Sequence, residues 1–127
     1  VAAVTAGTVH FEVWIPSGDW SGDFEAVDNG GFAGTISYPA MAQALRAGYA
    51  TASTDTGHSA TDTANTWISD PTLLADWGHR SIHLMTAPAE QAVAVYRRAL
   101  RWPMSVASAA VCGGCGLACR RPNAMVG

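Results

Sequence analysis

The sequence contains no lysine, no acidic residue after Glu90 and no cysteine before Cys112. It also lacks any apolar run of the roughly 18 to 20 residues that a bilayer-spanning helix requires, so a membrane span is not expected. Val1 to Gly7 has neither the basic start nor the apolar core of a secretory leader. Charged residues make up only 13% of the 127 and apolar residues 49%. That composition suits one modest hydrophobic core, a globular domain or a piece of one. The first residue is valine, and the chain reads as though it opens inside a longer sequence.

What charge there is lies unevenly. All ten acidic residues precede residue 91, whereas five of the seven arginines (Arg97, Arg98, Arg101, Arg120 and Arg121) follow residue 96. A basic tail of this kind raises the question of nucleic-acid binding. Two short arginine clusters without interleaved aromatics build no groove, and no nucleic-acid partner is expected.

Before the tail the order of elements is readable. In Thr8 to Ile15, Val9, Phe11, Val13 and Ile15 alternate with His10, Glu12 and Trp14, the pattern of a half-buried strand. Turn residues from Pro16 to Gly22 predict a hairpin-like connection to a strand over Phe24 to Val27. After the Asn29-Gly30-Gly31 turn, Pro39 suits the first position of a helix that carries Met41, Ala44 and Leu45 inward and stops at Gly48. Tyr49 to Thr54 reads as a buried strand. Thr56 to Ser69 is polar and long enough to be a functional loop. Asp70-Pro71 caps and opens a helical segment through Trp77, and Ser81 to Arg98 repeats Ile82, Met85, Ala89, Val93 and Tyr96 on one face. Pro88 should kink or divide that helix, because it removes a donor and crowds the preceding turn.

Strand, strand, helix, strand, helix predicts an α/β fold: a sheet with a leading antiparallel edge followed by strand-helix units. In such sheets, ligands bind beyond the carboxyl ends of the strands, where both the glycine turn and Thr54-Asp55 fall. A Gly-Gly pair there lets backbone approach a substrate closely. Acyl transfer needs such amide donors, because its tetrahedral intermediate carries a negative oxygen. Taken alone, an Asn-Gly-Gly turn needs no ligand at all.

The combination of stretches is more specific. Phe11 to Pro16 (F-E-V-W-I-P), Trp20 to Phe24, Asn29 to Gly34 (N-G-G-F-A-G), Gly48 to His58 ending S-T-D-T-G-H, and Asp76 to Ser81 occur in the order found in the tannase and feruloyl esterase family. The chain from Phe11 to Tyr96 closely resembles the amino-terminal half of that family's catalytic domain. The resemblance implies an α/β-hydrolase sheet, here incomplete, and cleavage of esters of gallic, ferulic or related aromatic acids by a serine, histidine and aspartate triad. It implies that Gly30 or Gly31, with Gly31 preferred, gives an oxyanion donor, and that Phe32 walls the acyl ring. Asn29, Asp55 and His58 take structural roles beside the site. His58 is not carried over as general base, because the family's triad histidine lies near the far end of a much longer chain. The resemblance further implies a secreted or periplasmic protein acting on a small aromatic ester, with no metal or cofactor in this part, since the family's calcium site belongs to its lid.

Three positions depart from the family pattern. Asp28 stands where a small residue is usual and sets a carboxylate beside the expected oxyanion donors; Asp23 replaces a typically basic residue; His79 replaces an aromatic. The nucleophile is the larger departure. The family places its serine in G-C-S-x-G-G, expected near residues 108 to 112, where the sequence reads S-A-A-V-C. Laying Cys112 on the motif's cysteine puts Gly113 on the serine, and Ser105 and Ser108 lack the glycine neighbours of a nucleophile elbow. No triad residue is therefore assigned. Cys112, Cys115 and Cys119 form C-x2-C-x3-C, which invites a metal or redox reading but lacks a nearby fourth ligand. A cysteine nucleophile there would need a base that the sequence does not identify.

Residues 97–127 are rich in alanine, arginine, glycine and cysteine, the composition an out-of-frame reading of GC-rich DNA yields. A frameshift, a truncation or a gene-prediction error would each give such a tail. The expectation is thus a hydrolase segment over residues 8–96, inactive alone, with a degenerate aromatic-acid-binding or scaffold protein as the competing class. A sheet stopped after its early strands should leave an edge and one face uncovered, and the isolated chain is expected to aggregate or stay partly folded.

Overall fold

The computed structural model describes residues 1–6, 8–62 and 65–99. Four strands form one mixed sheet: β1 (Ala2–Ala6), β2 (Val9–Trp14), β3 (Phe24–Ala26) and β4 (Ala50–Thr54), in the spatial order β1-β2-β4-β3. β1 pairs antiparallel with β2, β2 antiparallel with β4, and β3 parallel with β4. The expected connection between β2 and β3 is therefore no hairpin, since β4 inserts between them. The parallel β3–β4 pair instead requires a crossover, which helix α1 (Tyr38–Arg46) provides. β1 has no counterpart in the sequence reading; its alanine-rich A-A-V-T-A is poor strand material until β2 pairs with it.

The period-2 alternation of β2 places its two faces as expected. Val9, Phe11 and Val13 are buried, and Phe11, Val13, Ala26 and Ala52 pack with Met85 and Ala89 of helix α3 (Ser81–Ala99) in the main core. A second cluster joins Trp20, Ala50 and Val93, with Tyr96 against it. Glu12 and Trp14 face the other way and meet Tyr38 at the start of α1: Trp14 stacks on Tyr38 at 6.0 Å, and Tyr38 Oη donates to Glu12 at 3.0 Å. The two helices thus lie on opposite faces of the sheet, α1 packing over β4 while His10 on the same face of β2 stays exposed. The outer edge of the three-residue β3 remains without a strand partner among the described residues.

The carboxy-terminal helical region also differs from expectation. Asp70 caps helix α2 (Pro71–Ala75), its carboxylate accepting from Thr72 N at 2.7 Å and Leu73 N at 3.2 Å. No break follows: a π-helical turn over Asp76–Arg80 runs straight into α3. Pro88 does not divide α3, which continues to Ala99. Burial of Met85, Ala89 and Val93 on either side of it outweighs the cost of the lost backbone bond. No helix among the described residues is long and apolar enough to cross a membrane. The tail motifs at Cys112, Cys115 and Cys119 lie outside the described residues.

Candidate functional site: a glycine loop braced by an aromatic cluster

The loop between β3 and α1 begins where β3 ends. Val27 N donates to Ala52 O at 2.8 Å, and Asn29 then turns its side chain back, Nδ2 reaching Ala33 O at 2.5 Å and Thr54 O at 3.1 Å. Asn29 therefore closes the loop on itself and ties it to the carboxyl end of β4. Gly30 and Gly31 both hold positive φ, 71° and 55°, a conformation costly for any residue with a side chain. A Cβ at either would meet nothing within 4 Å, so conformation and not crowding selects glycine there. Gly34 is the opposite case: its missing Cβ would lie 2.6 Å from His58 O.

Every carbonyl from Gly30 to Ala33 is engaged. Gly30 O accepts from Ala33 N at 3.2 Å, Gly31 O from Trp77 Nε1 at 3.0 Å, and Phe32 O lies 3.0 Å from His58 Nε2. Because a carbonyl only accepts, His58 Nε2 is the donor in that contact. The amides of Gly30, Gly31 and Phe32, by contrast, donate to no acceptor among the described residues. Gly31 and Phe32 are solvent-exposed, Phe32 by 58%. The loop thus presents free N–H groups on a main chain whose oxygens are spoken for.

The turn after β4 supplies the brace. Asp55 Oδ1 accepts from His10 N and from Gly57 N, each at 2.9 Å, while Oδ2 lies 2.7 Å from His10 Nδ1. Thr56 is buried at φ 59°, an outlier for a β-branched residue, and its hydroxyl reaches Asp55 O at 2.7 Å and His58 Nδ1 at 3.3 Å. The His58 ring stacks on Trp67 at 4.1 Å. Phe32 packs against Trp77 at 5.3 Å and Trp67 at 6.0 Å, and the two tryptophans lie 5.6 Å apart. An open cavity of about 630 Å³ adjoins this turn, bordered by Thr8, His10, Gly34, Asp55, Gly57, His58 and Ser59 and not by Gly30 or Gly31.

The structure therefore brings Asn29, Gly30, Gly31, Phe32 and His58 into one cluster, with Asp55 anchoring the adjoining turn to β2. Trp67 and Trp77 escaped the sequence reading, as did the positive φ of Thr56 within its structural motif. Asp76, which opens the Asp76 to Ser81 stretch, is fully buried, accepting from Thr8 Oγ1 at 2.9 Å and pairing with Arg80. No group of three or more metal-ligating side chains occurs among the described residues.

Residues 1–102 match the family model described as tannase and feruloyl esterase. The chain belongs to that family. An uncharacterized esterase from Xanthomonas campestris pv. campestris is 38% identical over 89 residues, covering 69% of this chain and 16% of the relative. A protein named "Probable feruloyl esterase B-1" from Aspergillus terreus is 36% identical over 83 residues, 65% of this chain and 15% of its own length. Among solved structures, feruloyl esterase B from Aspergillus oryzae superposes with a TM-score of 0.60 at 28% identity, covering 68% of this chain and 17% of that one. An esterase from the same organism gives 0.61 at 30% identity, over 70% and 18%. The chain thus spans about one-sixth of the length of the family members it matches.

Proposed function

We propose that residues 8–96 are the leading part of the catalytic domain of a carboxylic ester hydrolase that cleaves esters of aromatic acids by a serine mechanism, with the Gly30-Gly31 loop supplying an oxyanion donor. The supporting observation is the set of unspent amides at Gly30 and Gly31, in a stretch whose carbonyls from Gly30 to Ala33 are all held. Its position agrees, because α/β-hydrolases take one oxyanion N–H from the loop between the third strand and the first helix. Such donors, fixed beforehand where negative charge develops, need no reorganisation during reaction. Exposed Phe32, backed by Trp67 and Trp77, offers an apolar ring face to an aromatic acyl group. The nucleophile, acid and base of the triad come from elsewhere in a longer protein, and export to the periplasm or medium goes with this reading.

The test is expression of the longest protein whose reading frame contains residues 8–96, assayed with methyl ferulate and methyl gallate. Hydrolysis of either supports the reading, while hydrolysis of aliphatic esters only removes the aromatic-acid part. The second reading, a degenerate hydrolase that binds aromatic acids, is favoured by the same exposed Phe32 ring on its tryptophan backing. It predicts ferulate binding without turnover.

A further inference from the structure

We infer that Trp77 is a positioning residue for the oxyanion loop, its indole N–H fixing the Gly31–Phe32 peptide so that the Phe32 amide stands ready as a donor beside Gly31. The inference rests on the oxyanion reading of the loop.

A trans peptide holds its C=O and the following N–H in one plane, pointing opposite ways. Whatever grips a carbonyl therefore aims the next amide. Gly31 O is gripped by Trp77 Nε1 at 3.0 Å, from a residue 46 positions along the chain, and the amide so aimed is that of Phe32. With two successive glycines at positive φ, this stretch has the widest backbone freedom in the loop, and an unbraced Gly-Gly-Phe would sample many orientations. Neighbouring grips do not substitute for Trp77: Asn29 holds Ala33 O, and His58 holds Phe32 O, which aims Ala33 N into Gly30 O.

Trp77 is itself held in place by its own helical turn. It sits in the π-helical turn Asp76–Arg80, and π turns often occur at functional sites. The preceding residue, Asp76, is fully buried and held by Thr8 and Arg80, and the absent Cβ of Gly57 would lie 3.0 Å from Asp76 Cβ. The Trp77 ring also packs on Phe32 at 5.3 Å. One side chain thus both aims the Phe32 amide and supports the Phe32 ring. In the transition state such an amide would add a second donor from the same loop, at no cost in reorganisation.

The experiment uses the 127-residue chain, labelled with 15N, and its Trp77→Phe variant, which keeps an aromatic ring but loses the N–H. In the unaltered chain, the Trp77 indole proton should exchange more slowly than that of a free indole. The Gly31 and Phe32 amides should be as ordered as those of β4, yet unprotected from solvent exchange. Trp77→Phe should leave the signals of β4 and α3 in place, raise the mobility of residues 30–32, and weaken ferulate binding at those amides about fivefold, the loss expected for one hydrogen bond. Loop mobility and ferulate affinity unchanged in the variant would overturn the inference. So would a Trp77 indole that exchanges like free tryptophan, a measurement that stands even if the variant does not fold. If ferulate moves no loop signal in either protein but the variant still loosens residues 30–32, the positioning role stands and the aromatic-acid reading fails.

Discussion

His10 and Asp55 meet twice: the backbone N–H of His10 donates to Asp55 Oδ1 at 2.9 Å, and its ring Nδ1 lies 2.7 Å from Oδ2. A single carboxylate thereby joins β2 to the turn after β4, and by also accepting from Gly57 N it shapes the turn that carries His58. Asp55→Ala leaves the His10 and Gly57 amides without their acceptor and should cost about 2 to 3 kcal/mol, the scale for hydrogen bonds to a charged group. Asp55→Asn keeps one acceptor oxygen and should cost less. Urea unfolding of the three proteins checks the order, and equal stability of wild type and the alanine variant would show that the carboxylate is idle.

Gly34 and Gly31 should respond differently to the same substitution. At Gly34 an added Cβ would sit 2.6 Å from His58 O and 2.7 Å from Ser59 C, both main-chain atoms that cannot yield without moving the turn. At Gly31 an added Cβ meets open space, and the cost is that of holding alanine at φ 55°, about 1 to 2 kcal/mol. Gly34→Ala should therefore abolish cooperative folding or lower the thermal midpoint severely. Gly31→Ala should fold and melt modestly lower. Thermal melts followed by circular dichroism distinguish the two, and the reverse order would mean the loop is not placed as described.

Much of this frame was legible in the sequence because local rules decided it. Alternation fixed the buried face of β2, Asp70 followed by Pro71 marked a helix start, and the Asn29-Gly30-Gly31 run marked a turn. What escaped depends on partners far along the chain. Nothing local tells β4 to insert between β2 and β3, and alanine-rich β1 exists because β2 offers it a ladder. The aromatic cluster is the same kind of case: Trp67 and Trp77 join Phe32 from 35 and 45 positions away, with no periodicity to announce them. The π turn and the positive φ of Thr56 are backbone irregularities enforced by tertiary contacts, where residue preferences point the other way.

Tyr38 gives a handle on pH. Its hydroxyl donates to Glu12, and that hydrogen bond, then the carboxylate's charge, then partial burial raise its pKa above the ordinary 10.0. Folding therefore favours the neutral phenol. The associated stability is fully present below pH 10 and is lost as the pH climbs through the raised pKa. Absorbance titration at alkaline pH should show the Tyr38 phenol ionising later than a free tyrosine, and Glu12→Gln should bring it back towards the ordinary 10.0. A Tyr38→Phe variant should lose that component of the alkaline decline in stability. Identical titrations for wild type and Glu12→Gln would show that the contact is absent in solution.

Asp28 precedes the loop and departs from the family pattern by adding a carboxylate two residues before Gly30. If the free amides of Gly30 and Gly31 receive negative charge, a nearby carboxylate opposes it through solvent. Unit charges several ångströms apart in water interact by about 1 kcal/mol or less, so the effect on affinity is at most roughly fivefold. Asp28→Asn should therefore tighten ferulate binding to the chain by about two- to fivefold at low salt. The gain should shrink as ionic strength shortens the screening length. Calorimetric titration at two salt concentrations makes the comparison. A gain that persists unchanged in high salt would assign the effect to altered loop packing, and no gain at any salt would mean that bound carboxylate does not sit near the Gly30-Gly31 amides.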